Sequence, residues 1–131
     1  MRHRNTIKKF DMRKSQRVAM FRNMLTSLIM KEKVFTTKEK GGVLKKIADK
    51  VIHKAKTKGI NVRRDISKYV PAENAQKKLI DVIAPRFMTR NGGYTRKVLA
   101  YRRFGDAAEM CYVMLCDEKP AAAPAGDKKS S

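Results

Sequence analysis

The sequence predicts an α+β fold. It is a two-layer domain of order α-β-α-α-α-β-β, a small mixed sheet with helices on one face, with an extended basic arm before it and a disordered tail after it. Three observations carry this. Apolar residues recur with a helical period over most of residues 15–84, then read as strands over residues 94–101 and 109–116. The turn Asn91-Gly92-Gly93 stands where the period changes. No regular apolar face exists in residues 1–14 or 117–131, which leaves residues 15–116 as the globular part. A chain of 131 residues suits one domain with a modest core.

The first helix is expected from a Ser15 cap to about Lys31, with Val18, Phe21, Leu25, Leu28 and Ile29 on one stripe and Met24 at its margin. Val34, Phe35 and Thr36 make a short strand. Thr36 and Glu39 have the spacing of a capping box, which opens a second helix to about Lys58. That helix buries Val43, Leu44, Ile47, Ala48, Val51, Ile52 and Ala55, is weakened at its start by Gly41 and Gly42, and ends at Gly59. Asn61 caps a short third helix with Val62, Ile66, Tyr69 and Val70 inward. Pro71 opens a fourth, with Ala75, Leu79, Ile80 and Ile83 inward, which Pro85 ends. Two strands follow, Tyr94 to Tyr101 and Glu109 to Cys116, joined by a hairpin-like loop at Arg102-Arg103-Phe104-Gly105-Asp106.

Charge narrows the function. Lys and Arg number 32 against 12 Asp and Glu, a formal charge of +20. Like charges oppose the compact state, so such an excess points to a polyanionic partner, nucleic acid before an anionic membrane surface. A hydrophobic fraction of 42% excludes a merely disordered basic tail. No apolar run approaches the roughly 20 residues that span a bilayer, and the basic start lacks the apolar stretch of a secretory signal. A cytoplasmic location is expected. Cys111 and Cys116 are poorly placed to bridge each other and lack the paired spacings of a zinc site, so no metal or cofactor is expected.

Catalysis finds no support. Acidic residues are dispersed, His53 borders an apolar stripe and reads as a partly buried, hydrogen-bonded side chain, and the serines lack a nucleophile context. Nucleic-acid contact is supported by arrangement. Basic residues gather in the arm (Arg2, Arg4, Lys8, Lys9, Arg13, Lys14), on the outer side of the first helix (Arg17 and Arg22, with Asn23), at Arg63-Arg64, and around the glycine turn and hairpin at Arg86, Arg90, Arg96, Arg102 and Arg103. Arginine's planar fork suits phosphate. The bland reading of the arm is a frayed terminus, and the functional one is a segment that orders on RNA. Phe87, Tyr94, Tyr101 and Phe104 are interleaved with these arginines. Phe87 and Phe104 read as core, while Tyr94 either stacks on a base or fills the core. No helix has the pattern of a groove-reading DNA-recognition helix, which favours a folded RNA read by shape.

The chain also resembles the bacterial large-subunit ribosomal protein seventeen family. The residues that carry the likeness are Met1-Arg2-His3-Arg4-Asn5, Arg22-Asn23, Thr26-Ser27-Leu28, Thr36-Thr37, Ala48-Asp49-Lys50-Val51-Ile52, Arg63-Arg64, Ile83-Ala84-Pro85-Arg86-Phe87, Arg90-Asn91-Gly92-Gly93-Tyr94-Thr95-Arg96 and Gly105-Asp106-Ala107-Ala108. The resemblance implies a two-layer α/β domain and a structural part of the 50S subunit. It also implies binding to 23S rRNA near the exit of the peptide tunnel, beside neighbouring large-subunit proteins. It brings His3 and Asn5 into the expected RNA contact. The Asn91-Gly92-Gly93 turn already belongs to that contact, because its glycines let a backbone approach phosphate closely beside the arginines and make it a hinge between the two layers. Two departures stand out. Gly41-Gly42 replaces residues that favour helix, and Gln16-Arg17 stands where the family usually has His-Arg. The runner-up from another class is a free nucleoid-type DNA-binding protein.

Overall fold

α1 (Lys14–Lys31), β1 (Lys33–Thr37) and α2 (Lys38–Ala55) follow one another with almost no connecting chain in the protein's computed structural model, which describes residues 8–57 and 59–116. α3 (Ile60–Ser67), α4 (Glu73–Lys78), a π-helical segment (Leu79–Ile83) and the single turn α5 (Ala84–Arg86) come next, then β2 (Thr95–Arg102) and β3 (Glu109–Leu115). Arg2, His3, Arg4, Asn5, Lys58 and the tail from Asp117 lie outside the described residues. The second helix, expected to about Lys58, ends at Ala55, with Lys56 already in a turn and Thr57 in a bend.

The two-layer α+β architecture expected from the period is present. One detail is corrected. The strands run in the order β1-β3-β2 and both pairings are antiparallel, so the sheet is not mixed. The last strand of the chain enters between the other two. β1 therefore meets β3 in the register Val34↔Val113 and Thr37↔Met110 rather than meeting β2. α2 packs against all three strands and α1 lies against β1, α2 and α4. The core between the layers joins Leu25 and Leu28, Leu44 and Val51, Ile66, Val70, Leu79 and Ile83 to Cys111 and Val113. Each large aliphatic side chain so buried contributes about 1.5–3 kcal/mol relative to exposure.

Gly41 seats α2 closely on the sheet. A Cβ at this position would stand 2.5 Å from Cys111 Sγ and 3.1 Å from Val113 Cγ2. The expectation of a loosened helix start is thus replaced by a packing reason, since only glycine lets α2 approach this far. The other departures are local. Thr37 still pairs with Met110, so the strand runs on and α2 begins at Lys38. No side chain caps α2, and Glu39 forms an ion pair with Lys8 instead of a capping box. α1 starts at Lys14, with Arg13 rather than Ser15 at the cap position. Gly59 takes the position expected of Asn61. Val18 is 40% exposed, because α1 opens onto a groove there.

Pro85 does not end its helix. Proline lacks an N–H, and its ring clashes with the carbonyl four residues back in a regular α-helix. The chain widens to π geometry just before it, with the Ala84 N–H donating to Leu79 O, and helical structure persists to Arg86.

Candidate nucleic-acid interface

The Pro85–Arg96 stretch divides into a buried half and an exposed half. Phe87 and Tyr94 are each 1% exposed and meet edge to face with centroids 5.4 Å apart. The Tyr94 hydroxyl lies 3.0 Å from His53 Nδ1 and accepts a hydrogen bond from Lys56 Nζ at 3.4 Å. Tyr94 is therefore core and offers no ring face to a base. His53 bears this hydrogen bond as expected, but it is exposed rather than partly buried. Beside Tyr94, both the Thr95 N–H and its hydroxyl donate to Asp49 Oδ1, at 3.0 and 2.8 Å, and pin the start of β2 to α2. Two segments of the family likeness, around Asp49 and around Thr95, thus meet in one contact.

The loop between is exposed. Gly93 has φ +65, a left-handed turn that a side chain would strain, and open space surrounds both Gly92 and Gly93. Asn91 is exposed. Arg90 Nη1 donates to Gly93 O at 3.2 Å and so braces the turn, while Lys56 Nζ donates to Arg90 O at 2.6 Å.

Arg86 belongs to a fastening. Its Nη1 donates to Glu32 Oε2 at 2.9 Å, and Lys78 Nζ stands 3.1 Å from the other carboxylate oxygen. Glu32 closes α1 in a left-handed conformation, φ 60, its N–H donating to Leu28 O while its own carbonyl accepts from the Leu115 N–H. Burial works to raise the Glu32 carboxyl. The hydrogen bonds of Arg86 and then Lys78, with their charges, outweigh it and hold the group below its ordinary value.

Arginines nearer the ends are arranged differently. Lys8, Arg17 and Arg22 share a groove of about 570 Å³ between α1 and α2, with a floor of Val18, Phe21, Leu25, Val43, Ile47 and Tyr69. Lys46 and Lys68, absent from the expected contact set, complete its basic rim. The described part of the arm is turned rather than extended. Phe10 packs edge-on against Phe21 at 5.7 Å, and Arg17 Nη1 donates to the carbonyls of Lys9 and Met12. An apolar partner for Phe10 is what folds this segment back. Lys9, Arg13 and Lys14 are exposed along it.

Arg22, Asn23, Arg63, Arg64 and Arg96 are exposed, and the four arginines have no ion-pair partner among the described residues. Arg102 reaches Glu109 at 3.7 Å. Arg103 grips Asp106 with two nitrogens, Nε donating to Oδ1 at 3.0 Å. The Arg103 hydrogen bond, helped by the Ala108 N–H, holds the Asp106 carboxyl down at about 2. This loop closes on itself and turns Phe104 wholly outward, so the expectation that Phe104 is core is overturned. The predicted basic residues therefore form no single patch. They divide among a groove, α3, the glycine turn, the sheet and a hairpin tip.

Both cysteines are free, Cys111 buried against Gly41 and Cys116 half-buried. Among the described residues no cluster of three or more His, Cys, Asp or Glu could hold a metal ion, and no helix is long and apolar enough to cross a membrane.

The sequence model of the family described as Ribosomal protein L17 matches residues 20–116. The large ribosomal subunit protein bL17 of Anaeromyxobacter dehalogenans is 44% identical over 129 residues, 98% of this chain and 80% of its own. That of Halothermothrix orenii is 45% identical over 79% of this chain and 91% of its own. For that of Desulfotalea psychrophila the figures are 43%, 94% and 97%.

Proposed function

This chain belongs to the ribosomal protein L17 family, and on that premise we propose that it is held in the large ribosomal subunit by 23S rRNA. The site is the neighbourhood of the peptide exit tunnel, with other large-subunit proteins beside it. Its role is structural, exercised by binding without turnover. Residues 1–14 act as a basic arm, residues 15–116 as the domain that holds the contacts in fixed relation, and residues 117–131 as a tail outside them. The observation that carries the reading is the distribution of cations. The chain carries a charge of +20, and the described cations lie on several separate elements, with Arg22, Arg63, Arg64 and Arg96 exposed and without acidic partners among the described residues. A folded RNA that wraps a protein meets several of its sides at once, whereas a duplex DNA reader concentrates contact on one.

The contact set comprises the arm and groove residues Arg2, His3, Arg4, Asn5, Lys8, Lys9, Arg13, Lys14, Arg17, Arg22 and Asn23. Arg63, Arg64, Arg90, Asn91, Gly92, Gly93, Arg96, Arg102 and Arg103 complete it. These cations neutralise phosphates and release counterions, so affinity should fall with salt at a log–log slope of roughly −0.7 to −0.9 per phosphate neutralised.

The decisive experiment is sucrose-gradient sedimentation of cell extract with immunodetection, run with and without magnesium. The protein should travel with the large subunit in both gradients. A free nucleoid-type protein would instead stay with DNA, and that result would refute the reading.

A further inference from the structure

The sheet has a second face. Helices cover the side of Cys111, Val113 and Leu115, all buried. The opposite side carries Lys33 and Phe35 from β1, Tyr112 and Met114 from β3, and Arg96 and Val98 from β2, as the alternation of the paired strands requires. On it three aromatic rings form one continuous surface. Phe35 and Tyr112 are direct cross-strand partners with centroids 4.8 Å apart, and Phe35 and Tyr101 lie 5.8 Å apart. Tyr101 is there because of a bulge. Between the pairs Leu99↔Cys111 and Arg102↔Glu109, two residues of β2 oppose one of β3. The extra residue brings Tyr101 round to the side of Phe35, the use to which bulges beside sites are put.

Cross-strand aromatic packing accounts for the pairing of these rings, but it does not account for their exposure. Phe35 remains 40% and Tyr101 59% exposed, with Val98 at 41% next to them. The charge around the patch is predominantly positive. Lys33 Nζ stands 4.2 Å from the Tyr112 ring centre, and Arg96 and Arg102 flank Val98 and Tyr101 along β2. The three strands hold one carboxylate, Glu109, and it is already engaged by Lys38 at 2.6 Å and Arg102 at 3.7 Å. Two exposed rings, Phe35 and Tyr101, backed by the half-buried Tyr112 and bordered by Lys33 and Arg96, complement a strand of unpaired nucleotides, whose bases stack and whose phosphates meet the cations.

We propose that this open face, with Phe35 and Tyr101 as the platform, Tyr112 supporting them from below, and Lys33 and Arg96 at its edge, stacks unpaired bases of RNA. The inference rests on the rRNA-binding reading above and adds a base-contacting site to it.

The test uses the full chain and two probes, protein-free 23S rRNA and a twelve-nucleotide oligoadenylate. Tyr101→Thr and Phe35→Thr remove a ring while keeping a β-branched strand former, and thermal melts confirm folding. Each should weaken oligoadenylate binding about ten-fold, whereas Tyr101→Phe should bind like wild type. Arg63→Ala/Arg64→Ala, away from the sheet, should reduce rRNA affinity without changing the ring dependence. If wild type fails to bind 23S rRNA, the functional reading itself fails. If it binds and the ring variants match it, only the stacking platform is refuted. In isolated subunits carrying p-benzoylphenylalanine at position 101, a photo-adduct with RNA supports the platform. Adducts with protein alone, or none, overturn it in favour of a protein-covered face.

Discussion

The two faces of the sheet are built from similar side chains and do opposite things. One side holds Cys111, Val113 and Leu115 under α2, with Gly41 drawn in until no side chain fits. The other holds Phe35, Tyr101 and Tyr112 in contact with one another and partly open to solvent. Apolarity alone does not distinguish them. The difference is made by which face the helices occupy, and it teaches that an aromatic residue in a strand is core only if another layer reaches it.

The largest expected effect tests that division. Phe87→Ala removes a ring from the core, where Phe87 is 1% exposed and in edge-to-face contact with Tyr94. The loss in unfolding free energy should be about 3–5 kcal/mol, a large part of the roughly 5–15 kcal/mol that holds a typical domain. Tyr101→Thr on the open face should cost less than about 1 kcal/mol. Urea denaturation measures both, and equal losses would erase the distinction between the faces.

A smaller effect sharpens the contact between layers. Gly41→Ala gains up to about 1 kcal/mol of helix propensity, but it drives a methyl group into Cys111 Sγ, an overpacking worth typically about 1–3 kcal/mol. The net should be a loss. Cys111→Ala in the same chain should recover much of it, so a double-mutant cycle on denaturation free energies should show coupling. Strict additivity would mean that α2 is not seated on Cys111.

How far the sequence foretold this structure follows the range of the forces involved. Periodicity is local, and it located the four main helical stretches and all three strands within a few residues. What it missed depended on distant partners. Thr37 is claimed by Met110, so the capping box never forms. Val18 faces a groove that needs α2 to exist. Phe104 sits in a loop closed by Arg103 and Asp106, out of reach of any layer. The candidate site was legible as charge but not as arrangement. Arg86 stands among the arginines of the glycine block, yet its partner is Glu32, 54 residues earlier, and nothing in the local sequence announces that pair. Tyr94 lies between Gly93 and Arg96, a setting equally good for stacking, and it is core because Phe87 and His53 close around it.

The smallest expected effect concerns that Arg86 contact, which places one arginine of the block with the core and apart from the exposed cations. Glu32→Gln keeps the shape and the left-handed backbone while removing the charge shared by Arg86 and Lys78. The Glu32 side chain is 28% exposed, so solvent screens the pairs and the loss at neutral pH should be no more than about 1 kcal/mol. The pH dependence has a definite sign. The folded carboxyl titrates below its ordinary 4.5. Its contribution is therefore fully present above about 4.5 and is lost as pH falls through the lower folded value. Wild type and Glu32→Gln should differ by a constant amount from pH 7 to 5 and converge below that. A gap that persisted to pH 2, or that widened in acid, would mean that Arg86 is not held by this carboxylate. Arg86 would then join Arg63, Arg64 and Arg96 among the cations available to phosphate.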